Sequence, residues 1–318
     1  MIDEFREGDE LIPDAGPPTG DGTATLGDIA FVEGVDPERA RAQLAEVPWE
    51  AGAKKPDPIL VATNVVRRFG GLTAVDVDHV EIQRGVITAL IGPNGAGKTT
   101  FFNLLTNFDS PDEGHRVFKG ESIDTVPAHK IADRGMVRTF QLTKSLSKMT
   151  VIENMKLGAT AQTGESIFRS VFPFLWKNQE AEIEAKADDL LRHFKMDHMR
   201  NEFAGTLSGG QRKLLEMARA LMVEPEMVML DEPMAGVNPA LTQSLLGHVT
   251  GLREQGMTVL CVEHDMDMVQ EISDWVIVMA EGRIIAEGPP ASIGQNQDVV
   301  DAYLGSSHDS ALDLGREL

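Results

Sequence analysis

The sequence predicts an α/β fold with a parallel sheet, preceded by a short antiparallel sheet and interrupted by a helical insert. Two observations carry the prediction. First, the apolar run Val86 to Ile91, broken only by Thr88, leads straight into a Gly-rich loop and then a helical stretch, Thr99 to Leu105. Second, Met227 to Leu230 and Thr258 to Glu263 are short apolar runs of the kind that strands buried on both faces require. The other elements follow in chain order. Residues 1–57 are rich in Gly, Pro, Asp and Glu and hold 14 acidic and 5 basic side chains, a net of −9. Such a segment buries too little apolar surface to offset its ordering entropy, so partial disorder is expected. Within it only Asp36 to Val47 reads as helical, with Asp36 as N-cap, Pro37 as the first helical residue, and Ala40, Leu44 and Val47 on one stripe. Lys54 to Pro58 marks the join. Ile59 to Arg67 and Ala74 to Ile82 read as antiparallel strands, residues 151–203 as mostly helical, and Met279 to Ala286 as a hairpin turning at Glu281-Gly282. The expected organisation is an acidic extension over 1–57, one domain over 58–304 with a helical subdomain at about 150–205, and a polar tail over 305–318.

Composition narrows the function. Hydrophobic residues make up 42% and charged residues 25% of 318, ordinary values for a globular protein. Apolar stretches run five or six residues, against the roughly 20 that a membrane-spanning helix needs. The start, MIDEFREGDE, is acidic where a secretory signal is basic and then apolar. A cytoplasmic protein is expected. The net charge of −21 argues against nucleic acid as a partner, because neutralising phosphates takes clustered Lys and Arg. The single cysteine, Cys261, lies in an apolar run and is expected to be buried as a small hydrophobe.

Three motifs carry chemistry. Gly92-Pro93-Asn94-Gly95-Ala96-Gly97-Lys98-Thr99 is a full G-x-x-x-x-G-K-[ST] pattern, and Thr100 continues it into the helix. Its glycines let the backbone wrap a phosphate and its N–H groups point into the nest. Lys98 brings a point charge to the β- and γ-phosphates, the Thr99 hydroxyl is placed for Mg²⁺, and the helix start adds its positive dipole end. Met227 to Leu230 then ends in Asp231-Glu232. A carboxylate there holds the Mg²⁺ shell, the role of Asp231, and Glu232 is suited to polarise a water attacking the γ-phosphate. Finally, Leu207-Ser208-Gly209-Gly210-Gln211 precedes an amphipathic helix and makes a second anion site. One nucleotide has no use for two such sites in one chain, so a head-to-tail dimer is expected, each loop closing on the γ-phosphate held by its partner.

With these motifs in this order, residues 58–304 resemble the ATP-hydrolysing subunit of ATP-binding-cassette (ABC) transporters, and the resemblance implies a P-loop NTPase fold with an antiparallel β-subdomain and an α-helical subdomain. It also implies roles for single residues. Phe69 occupies the place of the aromatic that stacks on adenine, although a core phenylalanine is the other reading. Gln141, in Arg138-Thr-Phe-Gln141, resembles the glutamine that reaches Mg²⁺ and the attacking water. His264, at the end of the run Thr258 to Glu263, resembles the histidine that contacts the γ-phosphate and orients Glu232. Phe69-Gly-Gly-Leu, Thr150-Val-Ile-Glu-Asn, Glu232-Pro-Met-Ala-Gly-Val-Asn-Pro239, Glu263-His-Asp-Met and Ala302-Tyr-Leu-Gly305 together resemble the branched-chain amino acid uptake branch. Members of that branch often vary the Leu-Ser-Gly-Gly-Gln pentapeptide that is complete here, and the extension 1–57 has no counterpart placed in it.

The expected function is therefore to power uptake of branched-chain or other hydrophobic amino acids, or a related amide such as urea. The resemblance implies two ATPase subunits (identical or paralogous), two membrane permease subunits and a periplasmic or lipid-anchored solute-binding protein. The chain would sit on the inner face of the cell membrane through the permeases. A lipopolysaccharide-export ATPase shares a short tail, but Asn238-Pro239 and the ending Val299 to Gly305 favour uptake. A soluble ABC ATPase would usually carry two cassettes or a coiled-coil insertion, and neither is present. The apolar run Ile167 to Trp176 is read as packing inside the helical subdomain or as a docking surface near Gln141.

Overall fold

The computed structural model describes residues 32, 34–139, 146–159 and 177–303, with the side chains of Lys177, Asn178 and Ala240 excepted. Gln141, the run 167–176, the first 31 residues and the tail 305–318 lie outside the described residues.

Two sheets organise the chain. In the first, β1 (Pro58–Phe69) pairs antiparallel with β2 (Leu72–Gln83) and with β4 (Glu113–Phe118), which is flanked by the short β5 (Glu121–Ser122). In the second, β3 (Ile87–Ile91), β6 (Met136–Arg138), β7 (Met227–Asp231), β8 (Thr258–Val262) and β9 (Trp275–Ala280) run parallel in the order β9-β3-β8-β7-β6, and β10 (Arg283–Gly288) closes the edge antiparallel to β9. The strands beside β3 are wholly buried and almost wholly apolar because both faces of this sheet are covered. Side chains alternate across a strand, and here the alternation sorts them into two cores. Ala89, Val228, Leu230, Val259, Cys261, Val276 and Val278 enter one. Leu90, Met227, Met229, Leu260, Val262, Ile277 and Met279 enter the other. Burial pushes the Cys261 thiol well up, which leaves it an inert filler.

α2 (Lys98–Leu105) and α3 (Ala128–Asp133) contribute Phe101, Phe102, Leu104, Leu105 and Ile131 to a core shared with both sheets. The helical subdomain contributes α4 (Val151–Lys156) and α5 (Lys177–His193), which pack with α6 (Gly209–Ala220) through Met155, Leu190, Leu191, Phe194 and Leu215. Thr150 and Glu153 cap α4 reciprocally. α7 (Pro239–Glu254), α8 (Met266–Ile272) and α9 (Pro290–Ile293) follow.

The acidic extension contains α1 (Pro37–Leu44), with Asp36 capping it and Pro37 at its first turn. Ala40, Leu44, Val47 and Ala53 enter the same core as β1 and β2. Glu287 on β10 is fully buried and accepts from the Gly52 and Ala53 N–H groups (2.7 and 3.1 Å), from Lys55 Nζ (2.6 Å) and from Trp275 Nε1 (2.8 Å). The backbone N–H of Lys55 donates to Glu81 of β2 at 2.6 Å. Residues 40–55 thus pack on the core that β1 and β2 share. The stripe Ala40, Leu44 and Val47 was legible in the sequence, whereas low average hydrophobicity concealed the buried Lys55–Glu287 ion pair.

Candidate nucleotide-binding and hydrolysis site

Parallel pairing aligns the C-terminal ends of β3, β8 and β7, with Leu90 opposite Val262 and Val262 opposite Asp231. The residues that follow these strands therefore emerge together at one edge of the sheet, where ligands of open α/β sheets gather. They are Gly92, Asp231-Glu232 and Glu263-His264. The Glu232 N–H donates to Val262 O at 3.1 Å, which ties the two strand ends at the site itself.

The loop after β3 wraps a cleft of about 610 Å³ lined by Asn94 to Thr100, by Glu232, by Leu72, Thr73 and Ala74 of β2, and by Glu281 and Gly282 of the β9–β10 turn. That volume suits a small-molecule site, typically about 300–1,000 Å³. Gly97 caps α2 at φ +97°, and a Cβ there would lie 2.4 Å from Ala74 O, so only glycine allows this approach. The turn is tied to the loop through Gly282 N–H to Ala96 O (2.9 Å) and to β2 through Asp76 N–H to Gly282 O (2.8 Å). Lys98 is buried and folds its Nζ onto the carbonyls of Gly92 (2.6 Å) and Pro93 (2.9 Å). Burial lowers its pKa from the ordinary lysine value, and the Glu232 carboxylate opposes that shift. Thr99 is exposed on the first turn of α2.

Glu232 holds φ +45°, in the left-handed region uncommon for a glutamate. Its Oε1 lies 4.0 Å from His264 Nδ1, and both side chains are open to solvent. Behind them Glu263 is buried, its carboxyl raised by desolvation and steadied by the Met234 N–H at 3.4 Å. The structure therefore brings Lys98, Thr99, Asp231, Glu232 and His264 to one edge.

Phe69 and the pentapeptide lie elsewhere, the latter as expected of a loop that serves a partner's nucleotide. Phe69 sits half-exposed at the end of β1, with the Arg67 guanidinium 4.7 Å from its ring centroid, and the cleft wall from that hairpin is Leu72 to Ala74. The pentapeptide Leu207 to Gln211 lies at the start of α6, outside the cleft. Ser208 caps α6 reciprocally with Gln211, while Ser208 and Gly209 are exposed. Leu207 and Gly210 are buried, and a Cβ on Gly210 would meet Leu241 of α7 at 1.9 Å, so the tight seat of α6 on α7 fixes the loop. Sequence reasoning missed the lining at Leu72 to Ala74 and at Glu281-Gly282, although the predicted turn at Glu281-Gly282 was a usable signal.

Comparison with known proteins agrees with this geometry. Residues 75–235 match the ABC transporter family, and residues 283–309 match the family described as branched-chain amino acid ATP-binding cassette transporter. The chain belongs to the ABC transporter family. It is similar to the probable branched-chain amino acid transport ATP-binding protein LivG of Archaeoglobus fulgidus, at 44% identity over 81% of this chain and 99% of that protein. It is 40% identical to the high-affinity branched-chain amino acid transport ATP-binding protein BraF of Pseudomonas aeruginosa over 79% of this chain and 99% of that one. Among solved structures, a nucleotide-free ATP-binding cassette from an ABC transporter superposes with TM-score 0.69 and 39% identity, covering 77% of this chain and 98% of the other. An ADP-conformation cassette gives TM-score 0.68 at 38% identity over 78% and 99%. As an ABC ATPase subunit the chain binds and hydrolyses ATP, and none of its described helices is long and apolar enough to cross a membrane.

The donor chemistry of the cassette fits Mg²⁺. Thr99 and Asp231 offer hard oxygens, and among the described residues no cluster of three or more His, Cys, Asp or Glu could hold a metal by itself. A cation that takes most of its ligands from phosphate and water, as Mg²⁺ does, matches such a sparse set.

Proposed function

We propose that this cassette powers uptake of branched-chain amino acids through separate membrane permease subunits, with a solute-binding protein and a second ATPase subunit. The observation that supports this solute class is the match of residues 283–309 to the branched-chain amino acid cassette family, a segment that includes β10 and its buried Glu287. ATP enters the cleft with its phosphates in the loop from Gly92 to Thr100, where Lys98 exchanges its carbonyl partners for phosphate oxygens. Phe69 and Leu72 to Ala74 flank the base. Thr99, Asp231 and Gln141 would hold Mg²⁺, which would supply charge neutralisation for the phosphates. Glu232 accepts the proton of the attacking water, and His264 holds Glu232 in place. A general base of this kind contributes about 10²–10⁴ in rate. Leu207 to Gln211 serve the γ-phosphate bound by the partner chain.

The permease docks beside β6, in a groove of about 440 Å³ lined by Val137, Thr139, Leu146, Leu157 and Val223, with Glu216 among its walls. Leu157 is 53% exposed there, an apolar contact in want of a cover. The chain is thereby held at the inner face of the cell membrane.

The test is reconstitution with the permease and binding-protein genes of the same locus in proteoliposomes containing ATP. Leucine, isoleucine or valine should accelerate hydrolysis and accumulate, while acidic amino acids should do neither. ATP turnover indifferent to all three apolar amino acids would remove the solute assignment and leave the ATPase intact.

A further inference from the structure

Arg138 ends β6, the strand that leads into Gln141, with only 9% of its side chain exposed. Its Nη2 donates to Asp231 Oδ2 at 2.6 Å and its Nη1 donates to Asn103 Oδ1 of α2 at 2.5 Å. The guanidinium lies 5.2 Å from the Phe102 ring centroid and 5.9 Å from that of Phe108. One planar group thus joins β6, β7 and the phosphate-loop helix, in contacts that only a fork-shaped cation can make at once. Asp231 precedes Glu232 directly, and the Arg138 guanidinium is the group that holds its carboxylate toward α2.

We propose that Arg138 is a positioning residue for ATP hydrolysis. It fixes the rotamer of Asp231 and locks β7 to the helix that carries Lys98 and Thr99. This rests on the reading of Asp231 as the carboxylate that serves Mg²⁺. The role is one of orientation, since a neighbouring positive charge by itself would disfavour a cation at Asp231. Charge and orientation therefore predict opposite signs when the arginine is removed.

The experiment measures binding of a fluorescent, non-hydrolysable ATP analogue to the full chain, with Mg²⁺ and with EDTA, for wild type, Arg138→Met, Arg138→Lys, Asp231→Asn and the Asp231→Asn/Arg138→Met double variant. Both arginine variants should keep the metal-free affinity within about twofold. They should lose about fivefold or more of the strengthening that Mg²⁺ gives, with a matching rise in KM for Mg·ATP, and kcat should fall about tenfold. The double variant should lose no more than Asp231→Asn alone, because the arginine acts through that carboxylate. Lysine retains the charge, so it tests orientation even if the methionine variant does not fold. A Mg²⁺ effect preserved or enhanced in the lysine variant overturns the inference, as does a full additional loss in the double variant. If Asp231→Asn itself leaves the Mg²⁺ effect intact, the reading of Asp231 fails and the inference fails with it.

Discussion

At the scale of single residues, the site shows which side chains a motif announces and which it conceals. Glu216 belongs to the second kind. It sits on α6 at 6% exposure beside the groove, and burial raises its carboxyl to about 7, with Lys213 and Arg219 pulling down and Asp231 pushing up. A folded pKa above the unfolded value means that the native state favours the protonated form. Its contribution is fully present below about 4.5 and is lost as pH rises through about 7. Glu216→Gln should therefore match wild type in denaturant midpoint at pH 5 and exceed it at pH 8, by at most about 3 kcal/mol at about 1.4 per pKa unit. A glutamine variant no more stable than wild type at pH 8 would contradict the buried, proton-favouring environment. Glu216 was illegible in the sequence because a glutamate at one turn of an amphipathic helix looks like a solvated one. Glu232 and His264 were legible because each follows a strand whose apolar run fixes its position, and Lys98 because its Gly-rich loop links such a strand to a helix. Phe69 was read only from the resemblance, and it stands across the hairpin from the cleft-lining Leu72.

Elements show the same division. β3, β7 and β8 were legible from their almost continuous apolarity, and α1 from its cap, its proline and its stripe of three apolar residues. The attachment of α1 was not, because composition averages over 57 residues while packing depends on a few. Lys55 and Glu287 lie 232 positions apart and form an ion pair with side chains 1% and 0% exposed. We propose that the cassette begins near Asp36 and that residues 36–57 strap β2 to β10. Breaking a buried pair by removing one partner costs about 3–5 kcal/mol, whereas replacing both with neutral groups costs far less. Lys55→Met should accordingly lower the unfolding midpoint sharply, and adding Glu287→Gln should recover most of the loss. Deletion of residues 1–57 should destabilise the chain at least as much as Lys55→Met, since it also strips the Gly52 and Ala53 N–H donors from Glu287. A deletion that leaves the midpoint where it was would return the boundary to residue 57.

Among the described residues, the loop after β3 lines a cleft and the exposed start of α6 lies outside it. Leu207 to Gln211 start α6, while the cleft wall is drawn from the loop after β3, from β2, from Glu232 and from the β9–β10 turn. Ser208 spends its oxygen as an acceptor capping its own helix, which leaves the hydroxyl proton for an outside acceptor. We propose that two chains pair head to tail, so that each γ-phosphate is held between the loop after β3 of one and the start of α6 of the other. Glu232→Gln tests this at the level of assembly. The amide removes the proton acceptor with little change of shape, while Lys98, Thr99 and Asp231 still hold the nucleotide. Hydrolysis should fall by about 10²–10⁴, and stalled ATP should keep the pair closed. Size-exclusion chromatography with Mg·ATP should then show a dimer for Glu232→Gln and mostly monomer for wild type or with ADP. Wild-type turnover in the variant would remove Glu232 from the chemistry. A variant that binds ATP without cleaving it, yet stays monomeric, would retain the base and point the loop at a different ATPase chain. Adding the paralogous subunit would then have to restore the dimer, and a Ser208→Arg substitution placed in the exposed loop of either chain would have to abolish it.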